Sequence, residues 1–315
     1  MPIKSPKVSV FFITYNHEKF VRASLDSLLS QSFQDFEVVI GDDASTDGTK
    51  EILMEYQRRY PDKIDLVLNK TNVGVTANSN LILARCRGEY VCFLAGDDIY
   101  YPEKLRLQVQ AMDRVADSIL SYHDIEVFDS DSGSTLRFFN RGSNSYRGEV
   151  GGTQLIAKRL VQKGVFMGAV SIMVRRDALP PWLFDDRVRV ASDWLMWIDI
   201  CARNHGKVLF LDEVLARYRK HQGGVSIEPQ KNRDDIYVTL GIVEHRYPEL
   251  RAAAAAHRAY CYYSEAIARV GQGNYREGNR MLVAGVYASR RLYSWKALPW
   301  LLYSWFRQVL YFMNS

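Results

Sequence analysis

The stretch that most constrains this chain is Tyr90 to Asp98, Y-V-C-F-L-A-G-D-D. It opens with an unbroken apolar run containing aromatic and β-branched residues, the pattern of a short strand buried on both faces of a sheet. The run stops on Ala95 and Gly96 and then presents two adjacent carboxylates, Asp97 and Asp98. Neighbouring carboxylates at the C-terminal edge of a buried strand repel one another unless a cation lies beside them, and that edge is where open α/β sheets bind ligands. One reading is a divalent metal holding a phosphorylated substrate. The other is structural: Pro102 suits a first helical position, so Asp98 would cap or charge a helix N-terminus.

The preceding residues set this strand in a series. Val8 to Tyr15 reads as a first strand, with Asn16 as N-cap of a helix carrying Val21, Leu25, Leu28 and Leu29 on one face. Phe36 to Ile40 is a second strand, ending in the turn-rich Gly41 to Thr49, which opens a helix bearing Ile52, Leu53 and Tyr56. Ile64 to Leu68 is a third, followed by Asn72-Val73-Gly74 and a helix through Leu81 and Ile82. Strand and helix alternate in this way up to about residue 115, which predicts parallel strands, right-handed crossovers and helices on both faces. Thr14, Asn16, Asp42, Asp43, Asn72, Asp97 and Asp98 then fall on one sheet edge, and a nucleotide crevice accounts for them. Competing motifs fail on particular residues. Asp43, Ser45, Asp47 and Gly48 imitate a calcium loop, but Met54 stands where a bidentate Glu is required. Neither G-x-G-x-x-G nor G-x-x-x-x-G-K-[ST] occurs.

Four segments in this order, F-F-I-T-Y-N-H-E-K-F-V from Phe11, V-V-I-G-D-D-A-S-T-D-G-T from Val38, N-V-G from Asn72 and F-L-A-G-D-D from Phe93, resemble a family 2 glycosyltransferase of the GT-A fold. The resemblance covers about Val8 to Ser226. It implies an α/β catalytic domain over residues 1–226, with a nucleotide-sugar half to about 115 and an acceptor half from about 116, followed by a helical region over 227–315. It implies an inverting, metal-dependent transferase that moves a sugar from a nucleotide sugar, most simply UDP-linked, to a hydroxyl of a glycan or lipid-linked acceptor in surface polysaccharide synthesis. Thr14, Tyr15, Asn16, Asp42, Asp43, Asn72, Gly96, Asp97 and Arg219 would contact the nucleotide sugar, one of the paired aspartates accepting from the uracil ring. The family's D-x-D motif places an acid where this chain has Ala95. That departure leaves Asp97 as the best metal ligand with Asp98 beside it, for Mn²⁺ or Mg²⁺ completed by phosphate and water. It also fits a catalytically silent scaffold of a polysaccharide assembly complex. A sugar-phosphate nucleotidyltransferase would want a glycine-rich G-x-G-T-R-L loop where this chain reads T-Y-N-H-E.

The acceptor half contains a strand at Ile119 to Phe128, a polar loop or hairpin at Asp129 to Arg147, a helix at Gly152 to Gln162, and Met167 to Val174, which resembles the strand behind the acceptor site. In V-A-S-D-W-L-M-W-I-D-I-C-A-R, Ser192 can cap a helix with Asp193 in its first turn, which is favourable without catalysis. Resemblance to the family's acidic motif makes Asp193 the general base, against Asp199 as a surface or helix-face acid. Lys207 to Leu211 is a strand, and Val214 to Ser226 a basic segment in which Arg219 or Lys220 would meet diphosphate and His221 would join the metal shell.

Beyond residue 228 the pattern is helical, Ile236 to Tyr247 and Leu250 to Val270, with a tetratricopeptide-like turn that suits a protein partner or a second copy. The last stretch sets Trp295, Trp300, Trp305, Tyr293 and Tyr303 among Arg290, Arg291, Lys296 and Arg307, so residues 290–313 suit either a membrane surface or packing on the domain. With 41 Lys and Arg against 36 Asp and Glu, the net charge of +5 fits anionic phosphate or lipid and is too slight to argue for nucleic acid. Cys86, Cys92, Cys201 and Cys261 are scattered without C-x-x-C, and the N-terminal apolar run lacks a small-residue cleavage site. The expectation is a cytoplasmic protein, held peripherally on the inner face of the cytoplasmic membrane if the tail binds lipid.

Overall fold

A computed structural model describes residues 5–141, 148–189, 192–222 and 229–289. The chain divides into two compact units, residues 1–160 with 164–235, and 161–163 with 236–315. The aromatic tail at 290–313 lies outside the described residues. Among the described residues, no helix is long and apolar enough to cross a membrane.

The first unit alternates as its apolar runs dictate: β1 (Val8–Thr14), α1 (Val21–Leu29), β2 (Phe36–Asp42), α2 (Thr49–Arg59), β3 (Ile64–Leu68), α3 (Val75–Leu83) and β4 (Tyr90–Ala95). There follow β5 (Ile99–Tyr100), α4 (Lys104–Arg114), β6 (Ser118–Asp129), β7 (Thr135–Phe138), β8 (Gly151–Gly152), α5 (Thr153–Lys163), β9 (Met173–Arg175), α6 (Ser192–Arg203) and β10 (Lys207–Lys220). The strands form one sheet in the order β3-β2-β1-β4-β9-β6-β10-β5, with β7 on β6 and β8 on β10. β1 pairs in parallel with β2 and β4, and β2 with β3, as helical crossovers require. Period-two alternation sorts the side chains. Val8, Val10, Phe12, Val38, Ile40, Cys92 and Leu94 join Val21, Leu25, Leu28 and Leu53 of α1 and α2 in one core. Phe11 and Phe93 point the other way, their rings 5.2 Å apart, and Phe93 meets Trp197 of α6 at 5.0 Å. From Trp194 to Cys201, α6 is buried throughout, the signature of a helix enclosed on all sides.

Three local features differ from the sequence reading. Asn16 does not cap α1. It takes φ 54°, and after it the chain makes a further turn before the helix starts at Val21, a left-handed position that Asn tolerates better than most residues. The stretch from Met167 is strand only at Met173–Arg175, after a single 3₁₀ turn at Ala169–Ser171. Lys207 to Lys220 is one strand rather than a strand and a separate segment. Leu211 lies opposite His123 and Val214 opposite Asp124, so Asp212 and Glu213, which interrupt the apolar pattern, are absorbed in a bulge. That bulge matters for the site. It keeps β10 going until Ala216 and Arg217 pair with Tyr100 and Ile99, which carries Arg219, Lys220 and His221 to the end of β4.

The second unit takes α7 (Pro229–Arg246) from Ile236 onwards, then α8 (Arg251–Gly271) and α9 (Tyr275–Ser289). Ala266 and Leu282 form a buried core with Tyr263, Met281 and Val286 packed on it. A Cβ at Gly278 would lie 2.6 Å from Val270 Cγ2, and one at Gly285 would lie 2.9 Å from Tyr263 Cε1. The two helices are therefore antiparallel and approach closely at glycines.

Candidate active site

Register fixes the sheet edge. Thr14 lies opposite Asp42, Asp42 opposite Leu68, and Ile13 opposite both Gly41 and Ala95. β1, β2, β3 and β4 thus end together, and the polar residues expected there are brought to one edge. The ladder extends a step further, with Asp43 N–H donating to Thr14 O at 3.1 Å and Asn69 N–H to Asp42 O at 3.0 Å.

Several of these side chains hold the loops that line the edge. Asp42 Oδ1 accepts the Ser45 hydroxyl at 2.5 Å and Oδ2 accepts Ser45 N–H at 3.0 Å. Burial still raises the Asp42 pKa above the ordinary carboxylate value, against those hydrogen bonds. Asp43 takes Val73 N–H at 2.8 Å, Gly74 N–H at 2.8 Å and Asn69 Nδ2 at 3.1 Å, and so shapes the turn into α3. Asn16 Oδ1 accepts Thr46 N–H at 2.8 Å, while Asn16 N–H donates to Ser45 Oγ at 2.9 Å. Asn72 Oδ1 accepts Gly74 N–H at 3.1 Å, and Tyr15 is exposed at the rim. The β1, β2 and β3 loops are in this way tied into one wall.

At the tip of β4 the two carboxylates part company. Asp98 is buried and accepts Arg219 N–H at 3.0 Å; burial, reinforced by the Asp97 charge, holds its pKa well above the ordinary value. Asp97 faces the other way electrostatically. Burial opposes its ionisation, but the His221 hydrogen bond and the charges of His17 and His221 hold its pKa below the ordinary value. The repulsion anticipated from the sequence thus falls unequally on the pair, burial and the Asp97 charge disfavouring ionisation of Asp98 while the His221 hydrogen bond favours it at Asp97. Asp97 Oδ2 lies 3.0 Å from His221 Nε2 and 4.0 Å from His17 Nε2. Among the described residues, His17, Asp97 and His221 are the group whose ligand atoms, all within 4.8 Å of one another, are placed to hold a metal ion. Asp98 is not brought into this group.

One carboxylate oxygen and two imidazole nitrogens are a donor set that divalent first-row ions accept, so the residues present fit such an ion. Burial lowers the His17 pKa, which favours the neutral ring, the form that ligates metal. His17 is the site residue that sequence reasoning missed. It follows Asn16 directly, and only the left-handed turn brings its ring beside β4. Arg219 is placed as a brace: its Nε donates to Asp97 O at 2.8 Å, and its guanidinium lies 4.7 Å from the Phe20 ring and 4.6 Å from that of Phe128. Gly96 explains itself by contact. A Cβ there would lie 2.6 Å from Thr14 Oγ1 and 2.9 Å from His17 Nδ1. Gly96→Ala should therefore leave the sheet folded but displace His17, weakening Mn²⁺ binding by about tenfold or more in calorimetric titration.

A cleft of about 380 Å³ adjoins the tip, lined by Ala95, Asp98, Arg137, Asp193, Trp197 and Lys220 among others. Phe11, Phe93 and Phe184 supply an apolar wall. Asp193 sits in the first turn of α6, where its Oδ1 accepts Trp194 N–H at 2.8 Å. Burial raises its pKa to about 6, against that hydrogen bond. Its rival Asp199 is not a surface acid: it is fully buried and accepts the Trp182 indole N–H at 2.9 Å.

Comparison with known proteins agrees with this geometry. Residues 9–180 match the model of "Glycosyl transferase family 2". The chain is 25% identical over 234 residues to the Escherichia coli UDP-Glc:alpha-D-GlcNAc-diphosphoundecaprenol beta-1,3-glucosyltransferase WfgD, covering 74% of this chain and 85% of that protein. Its fold is similar to that of S. aureus TarS 1-349 in complex with UDP-GlcNAc, with a TM-score of 0.63 at 20% identity over 90% of this chain and 81% of the other. It is also similar to mannosyltransferase PcManGT from Pyrobaculum calidifontis in complex with GDP-Man and Mn²⁺, with a TM-score of 0.58 at 16% identity over 97% and 86% of the two chains. At such identities the structural likeness establishes the GT-A fold.

Proposed function

The chain belongs to glycosyl transferase family 2, and from that premise we propose an inverting, metal-assisted transfer of a sugar from a UDP-linked donor to a hydroxyl of a glycan or lipid-linked acceptor in surface polysaccharide synthesis. The observation that carries this reading is the convergence on one sheet edge of the His17, Asp97 and His221 group with a cleft containing an aspartate whose pKa is raised to about 6. The donors bound by the neighbours support it, UDP-GlcNAc in TarS and UDP-Glc in the name of WfgD.

The nucleoside lies along the wall made by the β1, β2 and β3 loops. Asp42, which among the described residues takes donors from Ser45, keeps acceptor capacity for the imide N–H of uracil, while Asp43 is committed to Val73, Gly74 and Asn69. The diphosphate reaches the tip of β4, and a divalent ion held there by Asp97 and His221 would offset the charge that builds on it as it leaves. Lys220 and Arg137, which line the cleft, add positive charge on the same side. Asp193 takes the proton of the acceptor hydroxyl as its oxygen attacks the anomeric carbon. The bond to the diphosphate breaks on the opposite face, so one displacement inverts the centre. A carboxylate with a pKa near 6 suits this role because it is ionised at neutral pH yet more basic than an exposed aspartate. The apolar wall excludes competing water.

Incubating the purified protein with a panel of UDP- and GDP-sugars and Mn²⁺, and reading nucleotide release by mass spectrometry, tests the reading. Release from a UDP-sugar, silent in Asp97→Asn and Asp193→Asn, is expected. A folded protein that binds none of the donors would be the scaffold rather than the enzyme.

A further inference from the structure

By resemblance to the D-x-D pattern an acid would stand at residue 95, where this chain has Ala95 at the tip of β4, and the structure points to a side chain that could take its place. His17 reaches that tip from the β1–α1 turn with Nε2 4.0 Å from Asp97 Oδ2, while Thr14 Oγ1 lies 3.2 Å from the other ring nitrogen, Nδ1. A proton on Nδ1, donated to the Thr14 hydroxyl, turns the Nε2 lone pair towards Asp97, the way ligating histidines are commonly oriented by the hydrogen bond on their second nitrogen. Gly96 leaves space for both side chains. Phe20 packs against both imidazoles, its ring 6.4 Å from that of His17 and 4.8 Å from that of His221, which limits their freedom to turn away.

We infer that His17 is a protein ligand of the metal in place of the carboxylate absent at residue 95, and that Thr14 is the positioning residue that orients it. This rests on the metal-assisted reading of the site given above. Exchanging an anionic oxygen for a neutral nitrogen has two consequences. The ion retains one more unit of positive charge for the diphosphate than a two-carboxylate site would leave it. The donor set also shifts away from Mg²⁺, which favours oxygen, towards ions that accept imidazole.

The full-length protein is titrated with Mn²⁺, Co²⁺ and Mg²⁺ by calorimetry, with and without UDP, and bound Mn²⁺ is examined by pulsed electron paramagnetic resonance for ¹⁴N coupling. Two coordinated imidazoles are expected in the native protein and one in His17→Gln. His17→Gln should weaken Mn²⁺ by about tenfold or more and leave Mg²⁺ almost unchanged; Thr14→Val should lose a similar factor, and Thr14→Ser should restore it. Ala95→Asp should narrow the ratio between Mn²⁺ and Mg²⁺. The resonance experiment on the native protein needs no variant, so a misfolded substitution does not spare the proposal. Mn²⁺ bound with the same nitrogen coupling in native protein and His17→Gln, or with none, overturns it. If UDP-sugar is turned over while His17 proves irrelevant, only this inference fails; if His17-dependent Mn²⁺ binding is found but UDP never binds, the transferase reading fails and the ligand assignment stands.

Discussion

Asp193→Asn is expected to lower kcat by about a hundred- to ten-thousand-fold, the range for removing a general base, with little change in UDP-sugar binding. The amide keeps the shape but cannot take the acceptor proton. In the native enzyme, kcat should fall as pH drops through about 6, because burial raises the Asp193 pKa to that value and only the ionised form accepts a proton. The same shift makes a stability prediction of definite sign. Between the unfolded carboxyl's ordinary value and about 6, the folded protein binds more protons than the unfolded chain, so this residue's contribution to stability falls as pH rises through that window. Above it, the native protein carries a cost of up to about 3 kcal/mol for the ionised, buried group. Asp193→Asn should therefore melt at a higher temperature than native protein at pH 7.5 and lose that advantage near pH 4. Activity across pH and thermal melts at both values check the prediction; an inactive variant that is also less stable at pH 7.5 would count against it.

Asp97→Asn is expected to have a comparable effect on turnover by another route. The variant removes the carboxylate of the proposed metal group, so both donor affinity and kcat should fall, with kcat/KM reduced by about a thousandfold for the several kcal/mol that a bound divalent ion would supply. Its effect on stability has the opposite sign. Although burial opposes ionisation, the His221 hydrogen bond holds the Asp97 pKa below the ordinary value. Such a carboxylate contributes stability that is present above its unfolded pKa and is lost as pH falls through the folded one. At pH 7.5 in the absence of added metal, Asp97→Asn should melt below native protein, whereas Asp193→Asn melts above it. Two aspartate-to-asparagine changes on one site thus move melting temperature in opposite directions, and nonspecific damage does not produce that pattern.

The parts of the fold legible in the sequence are those set by local pattern. Apolar runs such as Tyr90 to Leu94, bounded by glycine and polar turns, mark β1 to β4 because a strand buried on both faces has little choice of composition. Parallel alternation then places every strand end on one edge, so Thr14, Asp42 and Asp97 are found without knowing a single contact. What stays hidden depends on pairing between distant segments. Asp212 and Glu213 break the pattern of β10, and only pairing with β6 shows that a bulge absorbs them. The roles of Asp42 and Asp43 diverge because the loop after β3 spends its Val73 and Gly74 amides on Asp43. His17 is silent in the sequence, since its approach to Asp97 depends on the left-handed turn at Asn16 and on the space at Gly96. Asp97 and Asp98 read alike for the same reason: they are adjacent, and the Arg219 amide brought by β10 distinguishes the buried one.

One ion at the tip of β4 and one base at the head of α6 are expected to serve the same reacting sugar. Crystals grown with UDP-sugar and Mn²⁺, with data collected at the manganese absorption edge, test it most directly. An anomalous peak is expected within bonding distance of Asp97, His17 and His221, touching the diphosphate, with the anomeric carbon exposed to the cleft that Asp193 lines. Manganese bound elsewhere, or a sugar directed away from Asp193, would contradict it.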